Sequence, residues 1–320
     1  MRRRGGGPAL LNSASPWAST SADLLSLYLS PFTGGVTTRT SLLPTPFPHD
    51  PRIHQHHLFS TSSVNTYGYS PSPLTSYLSW IREIVRGTGA PQTKPFIVSI
   101  TGGADAVAAG VHEIATFAAT HNLRLFAEIN LSCPNIPGAP PPAYSAEGLG
   151  SYLQLLPEQM GVPVGIKLPP FTYPAQFDAV LDVVARYPAA LSFITATNSL
   201  GGALHLSAPP SLSVDGGKRI WQPTLSSPAG TGVGGLAGEA IHWLAVGNVD
   251  SLRRGLDERG LGGVVVIGVG GVGDRDGMVR MLTVGAGAVG VATALGREGV
   301  EVFERILMGD AAVGEGEWCT

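Results

Sequence analysis

The stretch Val264–Leu295, VVVIGVGGVGDRDGMVRMLTVGAGAVGVATAL, contains one full repeat of a pattern that runs through the chain. Val264–Val269 is apolar or glycine without a break. A strand wetted on one face would alternate apolar with polar residues, so this run reads as a strand buried on both faces of a parallel sheet. A glycine turn follows. Asp274–Val284 then has helical spacing behind an acidic first turn. A second buried strand, Ala288–Thr293, comes next and leads into another helix. Strand, turn, helix, strand is the unit of a parallel α/β sheet.

The same unit repeats toward the N-terminus. Strands are expected at Ala9–Ser13, Gly35–Thr38, Pro95–Ile100, Leu125–Leu131, Val162–Leu168 and Ala190–Ala196. Helices are expected at Ala22–Leu29, capped by Ser21, and at Leu74–Val85, Ala104–Thr120, Ala146–Met160, Ala175–Tyr187, Leu236–Leu256 and Val300–Met308. Eight strand–helix pairs point to a closed (β/α)8 TIM barrel, an α/β fold, rather than an open doubly wound sheet. No linker divides the chain, so residues 1–320 read as one domain, with 1–8 as a disordered tail. Two segments, Leu42–Pro73 and Asn198–Gly235, are longer than ordinary connections. Both leave the C-terminal ends of strands, the face on which barrel enzymes build their sites.

Composition agrees with a large packed core: 43% of residues are apolar and only 13% charged. The net charge of −3 gives no bias toward nucleic acid or anionic membrane. No apolar run reaches the roughly 18 residues that span a bilayer. Two distant cysteines, Cys133 and Cys319, make no disulfide framework and fit a reducing, cytoplasmic setting.

Polar or glycine residues that close the strands would ring one mouth of the barrel: Asn12, Arg39, Asn130 with Ser132 and Cys133, Lys167, Asn198 with Ser199, Gly270 with Gly271, and Thr293. Lys167 sits in the apolar strand VGIKLPP. Burying its charge costs free energy unless it meets an electron-rich partner. The glycine turns after the last two strands are where barrels hold phosphate, on backbone N–H groups at helix N-termini. GVGGLAG (Gly232–Gly238) can add further amides. Cys133 precedes a proline in a loop above the mouth, where a thiol of tuned pKa can act as a general base. Asparagines both donate and accept, so Asn65, Asn130 and Asn198 suit a flat ligand rich in N–H and C=O. The cluster HQHH (His54–His57) lacks further ligand partners, and no metal is expected.

NLSCPNIPG (Asn130–Gly138), SVNTYGY (Ser63–Tyr69), VGIKLPP, TNSLG, VIGVGGV, VATAL and EGVEVFERI stand in the order of the same motifs in the dihydroorotate dehydrogenases. The chain resembles their soluble, FMN-containing, fumarate-using class 1A. The resemblance implies an oxidoreductase of pyrimidine biosynthesis, a flavoprotein that is homodimeric and makes no use of nucleic acid or membrane. It implies that Cys133 takes the C5 proton of dihydroorotate while a hydride passes from C6 to N5 of FMN, and that Lys167 steadies negative charge on the reduced flavin. It assigns Arg39, Asn65, Tyr67, Gly68, Tyr69, Asn130, Asn135, Asn198 and Ser199 to the substrate. It assigns Asn12, Ser13, Ala14, Arg39, Asn130, Lys167, Thr197, Gly234, Gly235, Gly270, Gly271, Ala292 and Thr293 to FMN. Arg39 stands where the family has lysine, Tyr67 where it has methionine, Ala139 where it has lysine and Ala292 where it has glycine. These departures raise two other readings: a flavin barrel for another cyclic amide or enone, and a barrel without catalysis.

Overall fold

A computed structural model describes residues 9–309 apart from 137, 139, 158 and 209–219. The expected tail at 1–8, Ala139 and Cys319 lie outside the described residues. In chain order the strands are β1 (Leu10–Asn12), β2 (Val36–Thr37), β3 (Ser41–Leu43), β4 (His56–Phe59), β5 (Ser62–Asn65), β6 (Phe96–Gly102), β7 (Leu125–Asn130), β8 (Val164–Leu168), β9 (Phe193–Ala196), β10 (Leu200–Ala203), β11 (Leu206–Ser207), β12 (Gln222–Pro223), β13 (Gly234–Gly238), β14 (Val265–Val269) and β15 (Ala288–Val291). Eight of them run parallel in the order β1-β15-β14-β9-β8-β7-β6-β2, with β3 added along β6. Helices fill the connections, and the whole is the expected (β/α)8 barrel.

The seam between β1 and β2 is closed without a regular ladder. The Gly34 amide donates to the Leu10 carbonyl at 2.7 Å. The Asn12 side chain donates to the Thr37 carbonyl at 2.6 Å and accepts from the Thr37 amide at 2.8 Å.

The interior is layered, as alternation along each strand requires. Phe126, Phe193, Val265 and Ala288 form part of an apolar base that also packs Leu11, Ile97 and Ile267. Gly165 belongs here because a Cβ would lie 2.4 Å from the Phe193 ring. Ser99, Glu128 and Thr195 make a polar layer above, and Lys167 and Asn130 stand above that.

The two long segments fold over the mouth as one antiparallel sheet, β10-β13-β5-β4. Here the expectations need correcting. Gly234–Gly238 pairs with β5, so the helix expected from Leu236 begins at His242. Three glycines in five residues disfavour helix, and the edge of β5 offers them hydrogen bonds. The helix expected to Met160 ends at Leu153, shortly before Pro157, which restricts the residue ahead of it. Thr20, not Ser21, caps the first helix. Its hydroxyl accepts from the Asp23 amide at 3.1 Å while the Asp23 carboxylate accepts from the Thr20 amide at 2.9 Å, a capping box. Among the described residues no helix is long and apolar enough to cross a membrane.

Candidate active site

A cavity of about 500 Å³ lies between the barrel mouth and the sheet that covers it. Cys133 reaches it from the loop after β7, where Pro134 ends any regular structure. The thiol is buried, 4.0 Å from the Tyr67 carbonyl. Burial pushes the thiol up from its ordinary pKa, while the Asn135 backbone N–H, the Lys167 ammonium, the Tyr69 hydroxyl and the Arg39 guanidinium pull it down. These donors are what a thiolate needs, so the site penalises the empty thiolate but offers it partners.

Three asparagines converge from three segments: β5, the loop after β7 and the stretch after β9. Asn135 donates to the Asn65 side chain at 3.0 Å and to the Tyr67 carbonyl at 2.8 Å. Asn65 donates to the Gly235 carbonyl at 3.2 Å. Asn198 donates to the Ser132 hydroxyl at 2.9 Å and accepts from the Ser199 amide at 2.8 Å. Gly68, Tyr69 and Ser199 complete this wall. Burial holds the Tyr69 hydroxyl well above its ordinary pKa, so it remains a hydrogen-bond donor.

Two cations face the same space. Lys167 donates to the Ser13 hydroxyl at 2.9 Å. Burial lowers its pKa, against the pull of Glu128 and Cys133. The Arg39 guanidinium lies 5.1 Å from the centre of the Tyr67 ring and donates through Nη1 to Ser19 at 3.3 Å. Its Nη2 is buried with no protein partner, as is the Ser15 hydroxyl, and both residues line the cavity. Buried donors are seldom left unpaired, so these two point to a ligand. The Tyr67 hydroxyl and His56 Nδ1 are 2.8 Å apart, and Trp17 meets the His56 ring edge-on at 5.6 Å.

At the far end the chain makes a cradle of backbone. Gly270 and Gly271 adopt φ of 140° and 70°. A Cβ on Gly271 would lie 2.6 Å from the Gly238 carbonyl. His242 fixes this turn: Nδ1 donates to the Gly270 carbonyl at 2.8 Å and Nε2 accepts from Arg280 at 2.9 Å. Ser13, Ala14, Thr197, Ala292 and Thr293 line the cavity nearby.

Three expected site residues lie elsewhere. Asn12 is fully buried in the β1–β2 seam, its amide spent on Thr37. Gly234 and Gly235 pack against Asn65 and Ser199 and do not line the cavity. Ala237 and Gly238 do, because they stand directly ahead of the helical turn Glu239–Ile241. The rule that phosphate amides lie at a helix start picks the later pair. Glu128, His56, His242 and Arg280 were not expected. For Glu128 the signal was available: it is the charged residue in the buried strand LFAEIN, as Lys167 is in VGIKL.

The family model described as dihydroorotate dehydrogenase matches residues 20–310. A protein of Trypanosoma cruzi described as dihydroorotate dehydrogenase (fumarate) is 30% identical over 297 residues, 92% of this chain and 86% of its own. One of Kluyveromyces lactis, with the same description, is 31% identical over 76% of this chain and 70% of its own. The crystal structure of ligand-free DHODH from Eimeria tenella superposes with a TM-score of 0.66 at 17% identity, covering 93% of this chain and 82% of that one.

Proposed function

The chain belongs to the dihydroorotate dehydrogenase family, and on that premise we propose that it oxidises (S)-dihydroorotate to orotate in pyrimidine biosynthesis, with FMN as cofactor and fumarate as electron acceptor. One observation carries the reading. A buried thiol, a ring of asparagine amides and two buried cations share one cavity with a glycine cradle.

FMN fits what the cavity offers. The unpaired Arg39 Nη2 and Ser15 hydroxyl lack only a ligand acceptor, and the Gly270–Gly271 turn leaves backbone amides free of side chains. Ser13, Ala14, Arg39, Asn130, Lys167 and Thr197 would hold the ring end. Gly238, Gly270, Gly271, Ala292 and Thr293 would hold the phosphate. When bound, the flavin accepts the hydride that leaves C6 of the substrate.

The protein's own groups do the rest. Cys133, as thiolate, takes the C5 proton, and the C5–C6 double bond of orotate forms as the hydride departs. Asn65, Asn130, Asn135, Asn198 and Ser199 pair with the N–H and C=O edges of the pyrimidine. Arg39, with the backbone at Tyr67, Gly68 and Tyr69, balances the substrate carboxylate. Lys167 balances negative charge at the ring beneath.

The protein works as a single FMN-binding domain, as a homodimer, and in the cytoplasm. Exposed Leu204, Leu206, Ile220 and Trp221 around the paired strands β11 and β12 support an interface on the cap, since apolar surface of this kind is usually covered.

The test is an anaerobic visible spectrum of the purified protein before and after dihydroorotate. A yellow protein whose flavin band bleaches supports the reading. A yellow protein that stays yellow moves the substrate to another cyclic amide or enone. A colourless protein that takes up no added FMN leaves a barrel without catalysis.

A further inference from the structure

Glu128 is a carboxylate that this chemistry leaves unused. It is 2% exposed and sits in the polar layer between the apolar base and the mouth. Oε1 accepts from the Ser99 hydroxyl at 2.9 Å. Oε2 accepts from the Thr195 hydroxyl at 2.7 Å. Thr195 belongs to β9, two strands from β7. Gly165 of β8 pairs with Glu128 in register and puts no side chain in the way.

The Ser99 hydroxyl donates its one proton to Glu128, so the Ser99 oxygen is left to accept from Thr40 at 2.9 Å. Thr40 in turn accepts from Asn130 Nδ2 at 3.0 Å. Asn130 Oδ1 then faces Ser132, whose amide donates at 3.2 Å and whose hydroxyl donates at 2.7 Å. The Ser132 oxygen accepts from Asn198 Nδ2 at 2.9 Å, and Asn198 Oδ1 accepts from the Ser199 amide at 2.8 Å. Every proton along this chain points toward Glu128. The Ser132 and Ser199 backbone amides can only donate, so they agree with that direction at two independent places. Hydrogen bonds aligned in this way strengthen one another.

We infer that Glu128 is a positioning residue, the terminal acceptor of a one-way hydrogen-bond chain that fixes which amide edge Asn130 and Asn198 turn toward the substrate. The inference rests on the reading of those asparagines as pyrimidine contacts. A ring with alternating N–H and C=O is recognised only if each amide presents the complementary atom. A reversed or mobile amide sets donor against donor.

The FMN-loaded enzyme tests it, by titration with orotate followed through the flavin absorbance and by steady-state kinetics on dihydroorotate. Glu128→Ala and Ser99→Ala each weaken orotate binding about tenfold, the value of one well-placed hydrogen bond. The dihydroorotate KM rises in step while kcat changes less. Glu128→Gln binds within about threefold of wild type, because its carbonyl still accepts from Ser99. The double variant E128A/S99A is no weaker than E128A, since both break one chain. Ser99→Ala removes a single oxygen and keeps the Glu128 carboxyl group, so it reads the chain even where E128A folds poorly. Wild-type affinity in S99A overturns the inference. So does an E128Q as weak as E128A, which would make Glu128 a counter-charge for Lys167. Failure of the wild type to bind orotate overturns the site assignment beneath it and is read in the same titration.

Discussion

The Asn12 side chain lies against the Thr37 peptide as a neighbouring strand would, giving its N–H to the Thr37 carbonyl at 2.6 Å and taking the Thr37 amide proton at 2.8 Å. An amide has the donor and acceptor of a peptide unit, so one side chain supplies the link that two short strands do not. Asn12→Ala leaves both Thr37 groups buried and unpaired. It is expected to destabilise the fold by about 2–4 kcal/mol, seen as a lower thermal midpoint, with the FMN dissociation constant unchanged. A large loss of FMN affinity at unchanged stability would return Asn12 to the cofactor site.

Cys133→Ser is expected to slow anaerobic flavin reduction by dihydroorotate roughly 10²- to 10⁴-fold at pH 7. The base must be ionised, and burial raises the pKa of the thiol. Wild-type reduction therefore speeds up as pH rises toward the thiol's range, and the serine variant stays slow to higher pH. Stopped-flow absorbance across pH measures both. Equal rates for the two proteins would remove Cys133 from the role of base.

Arg39→Lys keeps the charge and loses the flat fork over Tyr67. A compact ammonium cannot stack on the ring and also reach Ser19 and the ligand. The KM for dihydroorotate is expected to rise about tenfold, the worth of one buried cation–π contact with a lost hydrogen bond. Steady-state kinetics decides it; an unchanged KM would mean that the guanidinium does not touch substrate.

Gly271→Ala places a methyl group 2.6 Å from the Gly238 carbonyl at a φ of 70°. Left-handed backbone costs an alanine about 1–2 kcal/mol, and relief of the clash moves the turn that would hold the phosphate. FMN affinity is expected to fall at least about tenfold by fluorescence titration. Retention of wild-type affinity would place the phosphate elsewhere.

Lys94 lies at the opposite end of the barrel, its ammonium on the Ser30 carbonyl at 2.5 Å and the Thr33 hydroxyl at 2.8 Å. Burial lowers its pKa from 10.5 to about 8. The unfolded chain then holds this proton more tightly than the folded one, so stability rises with pH between those values and is lost as pH falls through the lower. The thermal midpoint of wild type relative to Lys94→Met is expected to grow between pH 7 and pH 10. A difference that is flat or shrinks with pH would refute the shift.

The barrel strands were legible because most are short runs dominated by apolar residues, as burial on both faces of a parallel sheet requires. The site residues on those strands were legible for the same reason: Lys167 and Asn130 are polar exceptions in apolar runs. Glu128 is another such exception and carries the same signal. The cap was not legible. Gly234–Gly238 has no strand signature of its own, and it becomes one by pairing with Ser62–Asn65, some 170 residues away in sequence. Asn12 misled for a related cause. Its position at a strand end marks it for the mouth, whereas a gap between two particular strands, visible only when the sheet closes, takes its amide.

The apolar base formed by Phe126, Phe193, Val265 and Ala288 makes the barrel a cup rather than a tube. Whatever enters by the rim must leave by the rim. On the proposed function, two reactants that share the space above Cys133 and Lys167 take turns there, and initial rates measured at several fixed oxidant concentrations are expected to give parallel double-reciprocal lines.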